Sequence, residues 1–289
     1  LSRILPPEEL LIIANTGDDF EHYGLTICPD TDTLLYTLAG LDNPQLGWGR
    51  ADESWAFMQT LAGLGGADWF RLGDRDLALH VLRSHRLRAG EALSAITDDL
   101  RQRFGIGPRI LPMSDDPVRT RIGTDQGWLD FQDWFVRLRA EPLARAVQFA
   151  GVEKARAQPA LLDALQAKPR GIVLCPSNPF ISIEPILALP GLRDAIKASG
   201  APVVAVSPII AGQAVKGPTA RMFEALGITP SAAAVAARYG DLLHGYVMEE
   251  GDDADGIVPR VFHAETLMRN LDDKMNLARQ VLAAIDALR

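Results

Sequence analysis

The sequence is short of what several chemistries need. It has two cysteines, Cys28 and Cys175. Two cannot build a disulfide framework or a cysteine zinc site, so a reducing compartment fits. No apolar run approaches the roughly 18 residues of a membrane span, and no signal peptide opens the chain. A cytoplasmic protein without a membrane partner is expected. Lys and Arg number 29 against 37 Asp and Glu, a net charge of −8. Nucleic-acid binding draws its affinity from basic side chains on phosphates, so no nucleic-acid partner is expected. A nucleotide held by backbone amides and a few cations stays possible. No Walker A sequence occurs, because Gly63-Leu64-Gly65-Gly66 has no Lys placed for one and reads as a helix end. No Gly-x-Ser-x-Gly elbow occurs either. Ser177 follows a strand but has no evident His–acid pair, which disfavours a serine nucleophile. The five histidines are scattered. His80 and His85 are five apart and point to different sides of a helix, which disfavours a metal site made by them. Both cysteines read as small buried residues.

What is present is a core. The 289 residues are 47% hydrophobic, enough for one large domain or two small ones. Leu10-Leu11-Ile12-Ile13-Ala14, Gly171-Ile172-Val173-Leu174-Cys175 and Pro202-Val203-Val204-Ala205-Val206 are short apolar runs of buried-strand length. Each ends in a small polar or proline-flanked residue, at Asn15, Ser177 and Ser207. Strands 10–14, 171–175, 202–206, 245–248 and 257–262 alternate with helices, which gives an α/β fold with a Rossmann-like, mostly parallel sheet. Helices are predicted over 53–64, 76–89, 93–104, 189–198, 219–226, 232–239 and 271–288. In the helix over 76–89, Leu77, His80, Val81 and Leu87 are predicted to face inward. Residues 41–49 and 212–218 read as loops, the latter with two glycines and Lys216. One Rossmann-like domain is expected over 1–289. Within it lie a basic helical insertion over 50–105 and a β-rich insertion with a small hairpin over 108–150. Leu1 is not Met, and a strand with a Gly-rich turn is expected before residue 1.

The stretch after the first strand stands out. Asn15-Thr16-Gly17-Asp18-Asp19 and Cys28-Pro29-Asp30-Thr31-Asp32-Thr33 place four carboxylates between a strand end and a helix start. The helix is predicted to begin at Leu34, with Asp32 or Thr33 as its N-cap. Any one acid serves equally well as a cap. Four after one strand favour a site for a metal–phosphate or polyhydroxyl ligand, since α/β sheets bind ligands beyond the carboxyl ends of their strands. Ser114-Asp115-Asp116-Pro117 repeats the theme and reads as a β-turn. Acids and cations around one crevice suit phosphoryl or nucleotidyl transfer.

Six motifs in order carry a resemblance. They are Asn15-Thr16-Gly17-Asp18-Asp19, Pro29-Asp30-Thr31-Asp32-Thr33, Arg71-Leu72-Gly73-Asp74-Arg75-Asp76, Ile110-Leu111-Pro112-Met113-Ser114-Asp115-Asp116, Pro176-Ser177-Asn178-Pro179 and Val206-Ser207-Pro208-Ile209. Together they resemble the 2-phospho-L-lactate transferase (CofD-like) family of deazaflavin coenzyme F-420 biosynthesis, over nearly the whole chain. The resemblance implies a transferase that moves a phospho-three-carbon-acid group from a GMP-activated donor to the ribityl hydroxyl of a deazaflavin, releasing GMP. It implies Mg2+ as cofactor and a homodimer. It implies Asp32 as the catalytic residue, with Asp32 and Arg71 at the deazaflavin. It places Asn15, Ser177, Asn178 and Ser207 at the nucleotide and Asp18, Asp19 and Asp30 at the metal. Two departures stand out. The family's Gly-rich N-terminal turn is absent, and Glu184 in Ser182-Ile183-Glu184-Pro185 replaces a Gly common in relatives. A nucleotide-sensing protein of the same core is the alternative. As a cap alone Asp32 would tolerate Asn; as a base or ligand it would lose its function while the melting temperature stayed within a few degrees.

Overall fold

In the computed structural model, which describes residues 1–44, 48–214 and 219–289, the first apolar run forms strand β1 (Leu11–Ala14). An antiparallel hairpin follows, of β2 (Phe20–His22) and β3 (Leu25–Ile27). Helix α1 (Pro29–Ala39) comes next. A helical stretch contains α2 (Ala56–Gly63), α3 (Asp74–Arg88) and α4 (Leu93–Arg103). Strand β4 (Arg109–Pro112) then returns parallel to β1, with Ile12 opposite Ile110. Strand β5 (Arg119–Thr124) is the centre of an antiparallel sheet, between β6 (Gly127–Asp130) and β7 (Ala144–Ala150). Helix α5 (Pro159–Gln166) leads to β8 (Ile172–Leu174). Helices α6 (Glu184–Leu187) and α7 (Leu192–Ser199) connect it to β9 (Val203–Val206). The two-residue strands β10 (Ile209–Ile210) and β11 (Gln213–Ala214) precede α8 (Thr219–Ala225) and α9 (Ala232–Tyr239). The chain ends with β12 (Gly245–Glu249), β13 (Arg260–Ala264) and α10 (Leu271–Asp286).

Strands β8, β9, β12 and β13 form an all-parallel sheet in that spatial order. Its middle is buried on both faces, which is why Val203-Val204-Ala205-Val206 reads as continuous apolar sequence rather than alternation. On one face Leu277, Val281 and Ile285 of α10 pack on Val204, Val206 and Val247. On the other, Val203, Ala205 and Tyr246 join Phe180, Leu192, Ile196 and Val235 in the main core. Each such side chain contributes about 1.5–3 kcal/mol when fully buried. The strand pair β1–β4 has its own core with Leu35 and Tyr36 of α1, Leu79 of α3, and Ile96 and Leu100 of α4.

The α/β class and the parallel strands agree with the sequence. The expected single sheet does not form as one ladder: among the described residues β1–β4 and the β8-to-β13 sheet are separate hydrogen-bonded units. Several local expectations are also corrected. The segment between Asp19 and Cys28, for which no element was predicted, holds the β2–β3 hairpin. Val81 is exposed, Leu77 and Leu87 are half-buried against neighbouring cores as expected, and the fully buried residues of α3 are Leu79, His80, Arg83 and Ser84. Cys28 is buried as expected, but Cys175 is exposed. The loops predicted over 41–49 and 212–218 fall partly outside the described residues, and Lys216 does so entirely. Among the described residues no helix is long and apolar enough to cross a membrane.

Candidate active site

Strand β1 ends at Ala14, and the next side chain ties three elements together. Asn15 Nδ2 donates to Asp30 Oδ2 at 2.9 Å, on the first turn of α1. It also donates to the Ile181 carbonyl at 3.0 Å, in the turn after β8. Asn15 Oδ1 accepts from the Gly17 backbone N–H at 2.8 Å. This one amide links the carboxyl ends of two sheets that share no ladder hydrogen bonds. Gly17 is required by close approach. A Cβ there would lie 2.7 Å from Thr120 Oγ1, 3.0 Å from Asn15 Oδ1 and 3.1 Å from Pro185 Cβ.

The acids after Gly17 turn inward. Asp18 and Asp19 are buried, and each has an Oδ1 with no hydrogen-bond partner. Burial raises the Asp18 carboxyl well above the usual range, and the nearby Asp30 charge raises it further. Burial pushes Asp19 up to about 7 against the pull of Arg119. Asp30 is also raised by burial, partly offset by the Asn15 amide. Burial thus disfavours charge on all three carboxylates, and Asp18 and Asp19 each keep one oxygen without a hydrogen bond, but the three do not bring ligand atoms within 4.8 Å of one another.

Asp32 differs from its expectation as a cap. Helix α1 starts at Pro29, five residues before the predicted start, and Cys28 is its N-cap residue with no side-chain cap bond. Pro at the first helical position is itself a start signal, because its missing N–H is not needed there. Asp32 lies at the end of that first turn, its N–H bonded to the Cys28 carbonyl at 2.9 Å, and the residue is 5% exposed. The carboxylate meets Arg83 of α3 in a two-pronged pair, with Nη1 to Oδ2 at 3.0 Å and Nη2 to Oδ1. Arg83 is fully buried. His80 Nδ1 stands 3.7 Å from Asp32 Oδ2, and its Nε2 stands 3.1 Å from Asp76 Oδ2. Tyr36 donates to Asp76 Oδ1 at 2.5 Å. Burial alone would lower the Arg83 pKa, but the Asp32 charge reverses that and raises it. Burial alone would raise Asp76, but His80, Tyr36 and Arg83 hold it below the usual range.

Asp32, Asp76 and His80 bring three ligand-type atoms within 4.8 Å of one another, the one such group among the described residues. The Arg83 guanidinium already supplies the countercharge there, which makes this an ion-pair network rather than a metal site.

The Arg71-to-Asp76 motif builds a helix junction. Glu53 accepts from the Arg75 and Asp76 N–H groups at 2.8 and 2.9 Å, at the start of α3. Asp74 in return accepts from Ala56 and Phe57 N–H, both at 3.0 Å, at the start of α2. Two helices cap each other. Arg71 is exposed, with its guanidinium 4.3 Å from the centre of the Trp55 ring. It forms no ion pair with the acids among the described residues.

On the other sheet, Asn178 caps the π-helical turn Pro179–Ile183 by accepting from Phe180 N–H at 2.9 Å. Its Nδ2 faces Met222 Sδ at 3.4 Å. Ser177 beside it is half-buried. Ser207 is buried; its hydroxyl accepts from Ile209 N–H at 3.1 Å and donates to the Ile209 carbonyl at 3.0 Å. Asn178 and Ser207 therefore shape the strand-end turns. Glu184 is engaged by Arg238, with Nε to Oε1 at 2.5 Å and Nη2 to Oε2 at 2.7 Å. The Arg238 guanidinium also lies 4.5 Å from the Phe180 ring centre.

The structure thus gathers Asn15, Asp18 and Asp30, sets Asp32 against Arg83, and stacks Arg71 on Trp55 without an ion pair to these acids. Arg83, Arg119 and Arg238 were not singled out from sequence. Their signal was only their presence in basic stretches, since nothing in one sequence pairs Asp32 with a residue 51 positions on.

A profile described as "2-phospho-L-lactate transferase CofD" matches residues 1–282. A "Phosphoenolpyruvate transferase" of Kitasatospora aureofaciens is 42% identical over a 302-residue alignment covering all of this chain and 93% of the relative. A protein of the same description from Streptomyces coelicolor is 41% identical, covering all of this chain and 94% of the relative. A solved Bacillus halodurans structure, described as a member of the upf0052 family, superposes with a TM-score of 0.60 at 14% identity. It covers 96% of this chain and 95% of its own, and supports the fold alone. With the profile spanning nearly every residue, the chain belongs to the 2-phospho-L-lactate transferase CofD family.

Proposed function

We propose that this protein transfers a phosphoenolpyruvyl group from a GMP-activated donor to the ribityl hydroxyl of a deazaflavin, releasing GMP, in the making of coenzyme F-420. The observation that carries the proposal is the Asn15 junction, which sets buried acids with free oxygens beside the turn after β8. The nucleotide is assigned to the strand ends at Asn15, Ser177, Asn178 and Ser207, because α/β sheets bind ligands beyond the carboxyl ends of their strands. Phosphoenolpyruvyl is preferred to phospholactyl or phosphoglyceryl because the relatives at about 41% identity bear that name.

Asp18, Asp19 and Asp30 suit Mg2+. They are hard oxygen donors, two with an unpartnered oxygen, and their burial disfavours charge unless a cation joins them. Mg2+ usually takes one or two carboxylates and completes its shell with phosphates and water, so a full protein cage is unnecessary. When bound, it offsets negative charge on the donor phosphates. Arg71, exposed and stacked on Trp55, offers the acceptor a planar cation. Asp32 accepts the hydrogen bond of the attacking hydroxyl. Each of its oxygens keeps a lone pair beside the Arg83 bond, so the two roles are compatible.

The test is GMP formation from the phosphoenolpyruvyl-guanosine donor, followed by chromatography, with and without deazaflavin. The expected result is acceptor-dependent GMP release. Tight GDP binding with no release under any magnesium concentration would replace this function with that of a regulatory nucleotide binder.

A further inference from the structure

We infer that Arg83 is a positioning residue for the proposed transfer, acting through Asp32, and that His80, Asp76 and Tyr36 form the frame that holds the pair. The inference rests on the function proposed above and on four observations.

First, the Arg83 side chain is wholly buried, yet it reaches across from α3 to the first turn of α1 and covers both Asp32 oxygens. Second, a two-pronged pair fixes a carboxylate's plane as well as its charge, which a lone ammonium cannot do. Third, the arrangement is poorly built as a stability device. Arg83 Nε is buried without a partner, and Nη1 has only long contacts of 3.5 Å to the Thr26 carbonyl and to His80 Nδ1 besides Asp32. A buried ion pair is seldom more stabilising than apolar residues of the same volume, so an imperfect one at this place points to a requirement on the carboxylate itself. Fourth, the frame is continuous. Tyr36 and Asp32 are four apart on α1, Asp76, His80 and Arg83 lie on one face of α3, and the contacts run Tyr36–Asp76–His80–Asp32. Rotating Asp32 away from its place would break the contacts at both of its oxygens.

The experiment compares the wild type with Arg83→Lys, Asp32→Asn and the double variant. It measures kcat and the KM of donor and acceptor for acceptor-dependent GMP release, together with melting temperature. Lys keeps the charge but not the fork. Arg83→Lys is expected to lower kcat about 10²-fold, the scale on which a misplacement of about 1 Å acts, with donor KM within about threefold. The deciding quantity is the double variant. If Arg83 acts through Asp32, the double variant is no slower than Asp32→Asn alone, because the group being positioned is already gone. If the two losses multiply, Arg83 is structural and the inference is overturned. Should Arg83→Lys fail to fold, His80→Gln decides. A kcat loss of several-fold at unchanged donor KM supports the frame, and an unchanged kcat overturns it. A wild type that releases no GMP with acceptor present refutes the proposed function instead, so the two failures are distinguishable.

Discussion

Asp32→Asn separates the geometry seen here from the capping role that the sequence suggested. As an N-cap, Asp32 would tolerate Asn almost silently, because the two cap about equally well. In the structure the substitution removes the one carboxylate, among the described residues, that pairs with the fully buried Arg83 guanidinium. Breaking one side of a buried ion pair typically costs about 3–5 kcal/mol, since the remaining charge is left uncompensated. Unfolding entropy of about 2.1 cal/mol/K per residue gives about 0.6 kcal/mol/K for 289 residues. The melting temperature should therefore fall by about 5–8 °C, not stay within a few degrees. Circular dichroism melts at pH 7.5 without metal or ligand measure this. Asp32→Asn combined with Arg83→Met removes both charges and should recover at least half of the loss. A drop under about 2 °C for Asp32→Asn, or no recovery in the pair, would refute the reasoning.

Three further outcomes follow from the site. The Asp19 pKa near 7 lies above its ordinary 3.8, so between those values the folded protein keeps a proton that the unfolded chain has lost. Metal-free stability should fall as pH rises from about 4 to 7, by on the order of 4 kcal/mol, and Mg2+ should shrink the fall; a melting temperature flat from pH 5 to 8 would contradict this. Gly17→Ala should cost about 1–3 kcal/mol by overpacking against Thr120 and Asn15, read as a shift in urea midpoint at unchanged slope. Arg71→Ala should weaken deazaflavin binding while GDP binding stays within a few-fold in fluorescence titrations, because Arg71 belongs to the helical stretch, where it stacks on Trp55, and not to a strand-end turn; equal loss of both ligands would remove its assignment.

What could be read from the sequence follows the range of the forces involved. Strands β8, β9 and β12 and helix α10 were legible because burial on both faces or on one stripe leaves a pattern over four or more residues. The β2–β3 hairpin was not. Its strands have three residues each, and its turn places Tyr23 and Gly24 at φ 51° and 70°. Tyr lacks the Asn or Asp signal usual at that left-handed position. The inward face of α3 misled for another reason. It buries His80, Arg83 and Ser84 beside Leu79, so apolar periodicity pointed to the exposed Val81. The acids at 18, 19, 30 and 32 were legible as a group because chain adjacency alone brings them near one strand end. Asp32's countercharge was not, since it comes from another helix. The same limit hid the Arg238 clamp on Glu184, which leaves that unusual residue paired rather than free.

The measurement closest to the central claim is the mass of the deazaflavin recovered after incubation with the phosphoenolpyruvyl-guanosine donor, Mg2+ and this protein. The account predicts an acceptor heavier by one phosphoenolpyruvyl group, formed in equal amount to GMP. An acceptor of unchanged mass, whether or not GMP appears, would contradict it.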